Sequence, residues 1–159
     1  MQKAMAAAGA AQQKTAVNWR ELMPLLGDSL GGWKAEGEAK GETNSAMGMS
    51  VSQVSRSYTK EGKTAKVEIF DTAVMPMLAQ AFQMARMASS DGSDHYAKGI
   101  DVAGNPGWDE WKKSGESTVT TLVNNRFLLK ASASGLPDSK PMGELVKAVD
   151  IGKLASLNK

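Results

Sequence analysis

The chain holds one histidine, His95, and it stands beside carboxylates in the stretch SSDGSDHY. Asp91, Asp94 and an imidazole this close could hold a metal ion or move a proton near neutral pH. There is no second imidazole, and no G-x-S-x-G element supplies a nucleophile on a strained turn. A surface histidine is therefore the plainer reading. The stretch Asp91-Gly92-Ser93-Asp94 matches only part of a calcium loop, without the remaining ligands and closing Glu. The ten methionines are the other candidate set. Thioethers suit Cu(I), and His95 could join them. Methionine at helical spacing beside Leu78 and Phe82 nevertheless reads first as adaptable core filling. A third reading makes Met84 and Met87 part of an apolar groove for a lipid tail or a partner helix.

The stretch GNPGWDEWKKSGES places Trp108 and Trp111 three residues apart among charges. In a strand, side chains at i and i+3 point to opposite faces. The two rings then cannot form one patch, and each can bury roughly 150–250 Å² on its own face. Packing on separate faces is the structural reading. The functional reading makes one of them line a ligand or partner site, so Trp108, Trp111, Met84 and Met87 are the candidate binding residues. Asp109-Glu110 and Glu36/Glu38 read as surface carboxylates. GLPDSKPMG does not continue into the G-K-[ST] of a phosphate loop. The set of nucleophile, base and oxyanion donors that an active site needs is not assembled, so we expect no catalytic residue, no metal ligand set and no cofactor.

These residues need elements to position them. The lead MQKAMAAAGAAQQKTA has helix-favouring residues but no apolar face to bury, and residues 1–16 read as a flexible lead-in. Residues 17–159 read as one α+β domain. Asn18 caps a short helix with Trp19, Leu22, Met23 and Leu26 at helical spacing, and Pro24 and Gly27 keep it short. Gly31-Gly32-Trp33 turns the chain into the body. Met47, Met49 and Val51 alternate, and the apolar phase then moves to Val54 and Tyr58, which predicts a β-bulge near Ser52. Lys60-Glu61-Gly62-Lys63 is a hairpin turn, and Ala65, Val67 and Ile69 alternate with Lys66 and Glu68. Residues 75–88 switch to a helical period so apolar that the helix must be covered on much of its circumference. Residues 89–94 read as a loop. Strands follow at 96–102, 108–114, 117–124 and 126–134, with turns at Asn105-Pro106-Gly107 and Asn124-Asn125. Met142, Leu145, Val146 and Val149 mark a helix after Leu136-Pro137-Asp138-Ser139, and Asp150 caps a last helical turn with Ile151 and Leu154. The expected fold is an antiparallel twisted sheet of about six or seven strands packed by two main helices, with a short N-terminal helix. Gly32-Trp33 with Gly41-Glu42-Thr43 echoes Gly107-Trp108 with Gly115-Glu116-Ser117, a hint of internal duplication.

Composition narrows function. The net charge is +2, and the excess lies in Lys3 and Lys14, so the remainder is formally neutral. No basic stripe is visible of the kind that displaces counterions from phosphates, and nucleic-acid binding is not expected. No run approaches the roughly 20 apolar residues of a membrane helix, so no transmembrane segment is expected. With no cysteine, disulfides, thiolate catalysis and Cys-based metal sites are excluded. WRELMPLLGDSLGGWKAEGEAKGE, MGMSVSQVSRSYT, KTAKVEIFDTA, NPGW and RFLLKASASG together resemble a family of bacterial envelope proteins, secreted or lipid-anchored. Those run a short helix, then GW, then a hairpin ending in a V-x-I-x-D-T strand. The resemblance implies an exported α+β domain, periplasmic or in the cell envelope, and brings no catalytic residue. The element order is also similar to PsbP-type sandwiches, which are mostly partner-binding modules. The function expected from all this is a non-catalytic envelope protein that binds a protein partner or an apolar ligand. The alternative is a metal carrier or hydrolase-like enzyme using His95 and nearby acids; a purely structural role is the third class.

Overall fold

The computed structural model describes residues 16–46, 49–71, 76–85 and 87–157. Its centre is one antiparallel sheet of nine strands in the order β1-β2-β3-β4-β9-β8-β7-β6-β5. The strands are β1 (Ser29–Leu30), β2 (Trp33–Ala46), β3 (Met49–Lys60), β4 (Lys63–Asp71), β5 (Ser89–Asp91), β6 (His95–Val102), β7 (Asn105–Lys112), β8 (Glu116–Val123) and β9 (Phe127–Ser134). The chain winds inward from one edge to β4, crosses to the other edge, and winds inward again to β9. The two meanders meet where Ala65, Val67 and Ile69 pair with Ala133, Ala131 and Leu129. Among the described residues four short helices accompany it: α1 (Trp19–Leu22, continued by a 3-10 turn to Leu25), α2 (Pro76–Ala85), α3 (Lys140–Ala148) and α4 (Ile151–Ser156).

One face of the sheet carries the core. Val54, Tyr58, Val67, Ile69, Phe127, Leu129 and Ala131 meet Leu22, Leu25 and Leu26 at one end and Met142, Leu145, Val146 and Leu154 at the other. Burying each such Leu or Phe contributes about 1.5–3 kcal/mol. Asn18 caps α1 by accepting from the Arg20 amide at 3.0 Å, and Asp150 caps α4 by accepting from the Lys153 amide at 3.0 Å. The chain enters the fold through a clamp. Asp71 and Arg126, 0% and 5% exposed at their side chains, make a two-pronged ion pair at 2.9 Å. The second oxygen of Asp71 also accepts from the Val17 amide at 2.7 Å. At the other end Arg56 reaches the Leu26 and Gly37 carbonyls and Asp28, while the Tyr58 hydroxyl donates to the Gly27 carbonyl at 2.7 Å.

Several expectations need correction. The sheet has nine strands, not six or seven, and the helices are small pieces of four to ten residues rather than two main ones. β3 pairs with β4 in one unbroken register from Ser52 to Lys60, and with β2 without interruption from Met49 to Ser55, so there is no bulge near Ser52. Its core face is Ser52, Val54, Arg56 and Tyr58 throughout, and Val51 lies on the other face. The irregularity falls in β2 between Glu36 and Lys40, where Gly37 adopts φ +81°. Met47 lies outside the described residues. The turn expected at Asn105-Pro106-Gly107 is two residues earlier, at Ala103 (φ 51°) and Gly104 (φ 84°), and β7 starts at Asn105. Side chains fix it there: Asp101 accepts from the Gly104 amide and Asn105 donates to the Val102 carbonyl. Residues 89–91, expected as loop, pair with β6. The flexible lead expected over residues 1–16 lies outside the described residues except for Ala16, which is buried. In the duplication echo Trp33 belongs to the core, whereas the β6–β9 register turns Trp108 away from it.

Among the described residues no helix is long and apolar enough to cross a membrane.

Candidate functional site

Strand pairing brings the site together. Lys98 on β6 lies opposite Asp109 on β7, and Asp109 opposite Val119 on β8. Directly paired residues of an antiparallel sheet share a face, and Val119 belongs to the core. Lys98 and Asp109 therefore point to the helix-covered side. There α3 sits over β8, β9 and β4 but stops short of β6. A groove of about 350 Å³ remains between the helix and the strands. Its floor is Ile100, Val102 and Val119, and its helix wall is Lys140, Gly143, Glu144 and Lys147. A concave site with an apolar floor and few polar groups is the common form of a small-ligand site.

Two features of this groove have no packing explanation. Oδ1 of Asp109 is buried and has no hydrogen-bond partner. Lys98, directly across, does not meet it; its ammonium lies over the Tyr96 ring, 5.5 Å from the centroid. A buried acceptor left unmade costs about 1–3 kcal/mol. The second feature is Gly143 inside α3. A helix-interior glycine costs roughly 0.5–1 kcal/mol relative to alanine, yet a Cβ there would meet nothing within 4 Å. Its absent side chain only widens the groove. The rim is balanced, with Lys98, Lys140 and Lys147 against Asp101 and Glu144 and with Asp109 below.

The candidate binding residues fall in different places. Trp111 shares the face of Asp109. It stacks on Tyr96 with ring centroids 5.5 Å apart, and its indole N–H donates to the Leu136 carbonyl at 2.8 Å. The Tyr96 hydroxyl in turn bonds Ser139 through both its hydroxyl and its amide. Together the two rings fasten the segment that leads into α3, and so hold the helix wall of the groove in place. Trp108 lies on the opposite face, across from Gly99 and Thr120, half-buried. α2 lies against β7, and none of its described side chains joins the core cluster. The helix expected to be well covered instead leaves Met77 and Met84 80% and 76% exposed, and Met87, in the turn beyond its end, 91% exposed.

His95 lies in the β5–β6 hairpin, half-exposed. Its Nδ1 is 2.8 Å from an Asp94 oxygen, and its Nε2 is 3.5 Å from the Ser90 hydroxyl. The hydrogen bond with His95 holds the Asp94 carboxyl below the usual carboxylate range. Asp91 is no part of this contact; its strand phase differs by one residue from that of Ser90. Among the described residues no three His, Asp or Glu side chains gather in a way that could hold a metal ion. A more open hollow near Met23, Gly27 and Arg56 has its guanidinium already engaged by Leu26, Asp28 and Gly37.

Sequence reasoning missed Asp109 as a site residue, and the signal was available. Strand alternation groups Asp109 with Gly107 and Trp111 and separates it from Glu110. Gly143 carried no such signal, because its meaning depends on where the helix docks. Compared with known proteins, the chain matches no family model, no curated protein and no solved structure. The resemblance to envelope proteins thus rests on the quoted residues alone.

Proposed function

We propose that the domain is a binding module that takes a small, largely apolar ligand carrying an N–H or O–H donor into the groove beneath α3. The observation that carries this reading is the unpartnered, buried Oδ1 of Asp109 at an apolar-floored groove. A donor on the ligand would supply the missing hydrogen bond, and a charge-assisted bond of this kind is among the stronger ones. Ile100, Val102 and Val119 would bury the apolar body. The groove binds rather than transforms, since its one hydroxyl, Ser139, is already bonded to Tyr96. An exported setting belongs to the same proposal, as the quoted motifs imply.

The test is a thermal-shift series with hexylamine, hexanol and hexanoate, run on the wild type and on Gly143→Met. The amine and the alcohol should raise Tm in the wild type and hexanoate should not, because Asp109 accepts and cannot donate when ionised. Gly143→Met fills the groove from the helix side and should abolish the shifts. Equal responses to all three ligands, or none, would overturn the reading.

The exposure of Met77, Met84 and Met87 favours a second contact, with a protein partner at α2. Exposed apolar patches of this kind mark interaction surfaces, and flexible thioethers suit them. Changing the three to Gln should then remove partner capture without lowering Tm.

A further inference from the structure

We propose that Ser90, His95 and Asp94 form a nucleophile, base and orienting carboxylate on the second face of the sheet, acting on small esters with an apolar acyl chain. This site is separate from the groove and does not rest on that reading. Ser90 pairs with Ala97, and Ala97 with Glu110, which places Ser90 on the same face as Trp108. His95 opens β6 on that face.

The geometry has the order such chemistry requires. Asp94 accepts from Nδ1 of His95 at 2.8 Å, which leaves the Nε2 lone pair facing the Ser90 hydroxyl at 3.5 Å. Contacts of this type are often looser before substrate binds. The ring position is built in by Gly92, where a Cβ would meet His95 Cε1 at 2.7 Å and Nδ1 at 3.1 Å. A Cβ there would force the imidazole to shift from this position. Gly92 also donates its amide to the His95 carbonyl at 2.8 Å. The Ala88 carbonyl and Gly92 amide make ladder bonds to β6, so Asp91, one residue off that phase, directs its N–H to the open edge beside Ser90. In this proposal that N–H is the donor to the developing oxyanion. Ala97 and Gly99 give a floor without bulk, and Trp108 ends it. At 4.8 Å per strand and 3.3 Å per residue, Trp108 lies about 12 Å from Ser90 along the face.

The step balances without a further reactant. The Ser90 oxygen attacks the ester carbonyl while its proton passes to Nε2 of His95. The C–O bond to the alcohol breaks, and the alcohol leaves with that proton. Water then attacks the acyl-serine by the same route and releases the carboxylic acid. Asp94 stays ionised and stabilises the imidazolium in both halves. All three groups are largely open to water, so the gain sits at the low end for general-base catalysis, about 10²-fold.

The test is hydrolysis of p-nitrophenyl butyrate by the full chain, alongside covalent capture by a fluorophosphonate with peptide mass spectrometry. The wild type should exceed Ser90→Ala by about 10²-fold, and His95→Ala and Gly92→Ala should fall to the Ser90→Ala rate. The label should lie on Ser90. Trp108→Ala should slow the decanoate ester, whose chain is long enough to reach the ring, more than the butyrate ester. Unchanged circular dichroism of Ser90→Ala and His95→Ala shows that the fold is intact. Equal rates for wild type and Ser90→Ala, or a label on another hydroxyl, would overturn the assignment. Loss of rate in His95→Ala but not in Ser90→Ala would also overturn it, since the imidazole would then be acting alone.

Discussion

Replacing Asp109 by leucine should make the protein more stable and less able to bind. Here one carboxylate oxygen is buried without a partner, a condition that costs about 1–3 kcal/mol. The residue as a whole is only partly buried, so about 1–2 kcal/mol is the fair share of that range. Leucine removes the unmade bond and adds contact with Ile100, Val102 and Val119. For a chain of this size each kcal/mol moves Tm by roughly 2–4 °C, so Tm should rise by about 2–8 °C. Calorimetry with a parallel urea titration reads this directly. Ser117→Ala is the control: its hydroxyl is also buried and unpartnered, but it does not line this groove. That variant should gain stability without changing the hexylamine response, whereas Asp109→Leu should gain stability and lose the response. A fall in Tm for Asp109→Leu would refute the reasoning. It would mean that Asp109 is already satisfied in solution and supports the sheet, and the groove would lose the observation that marks it as a site.

Two further outcomes follow from the ends of the domain. Asp71→Asn removes one charge from a pair that is 0% and 5% exposed and weakens the anchor of Val17, so it should cost about 3–5 kcal/mol. The double change Asp71→Leu with Arg126→Met should recover part of it, and a single-variant loss below about 1 kcal/mol by urea titration would count against the clamp. Tyr58 has its pKa pushed up to about 12, first by burial, with the nearby Asp28 carboxylate adding to it and Arg56 opposing it. An unfolded tyrosine ionises near 10 while the folded one stays protonated. Its stabilising contribution is therefore fully present below pH 10 and is lost as pH rises toward 12. Tyr58→Phe should flatten that limb of the stability profile, and an unchanged limb would show that Tyr58 does not govern it.

How much of this was legible depends on whether a residue's meaning is local. β4 and β9 were readable because each has one dry face, and Val67 against Lys66 or Leu129 against Lys130 states that in the sequence. The last two helices were readable from the spacing of Met142, Leu145 and Val146 and from the Asp150 cap. β1, two residues long, and β5, with its polar Ser-Ser-Asp, have no periodicity of their own; they are strands only because a neighbour offers a ladder. β2 hid its pattern because its inward positions include Gly41, which leaves room for the Trp19 ring: a Cβ there would lie 2.5 Å from it. The groove was hidden for a stronger reason. It is made of two absences, the side chain of Gly143 and the partner of Asp109, and neither exists until α3 docks on the sheet. Even so, the two tryptophans held half of the answer. The parity that puts Trp108 and Trp111 on opposite faces also divides Asp109 from Glu110. It sends one carboxylate to the wet face, where Glu110 meets Lys112 at 3.2 Å, and the other under a helix, where burial without a partner has to be explained by something outside the fold.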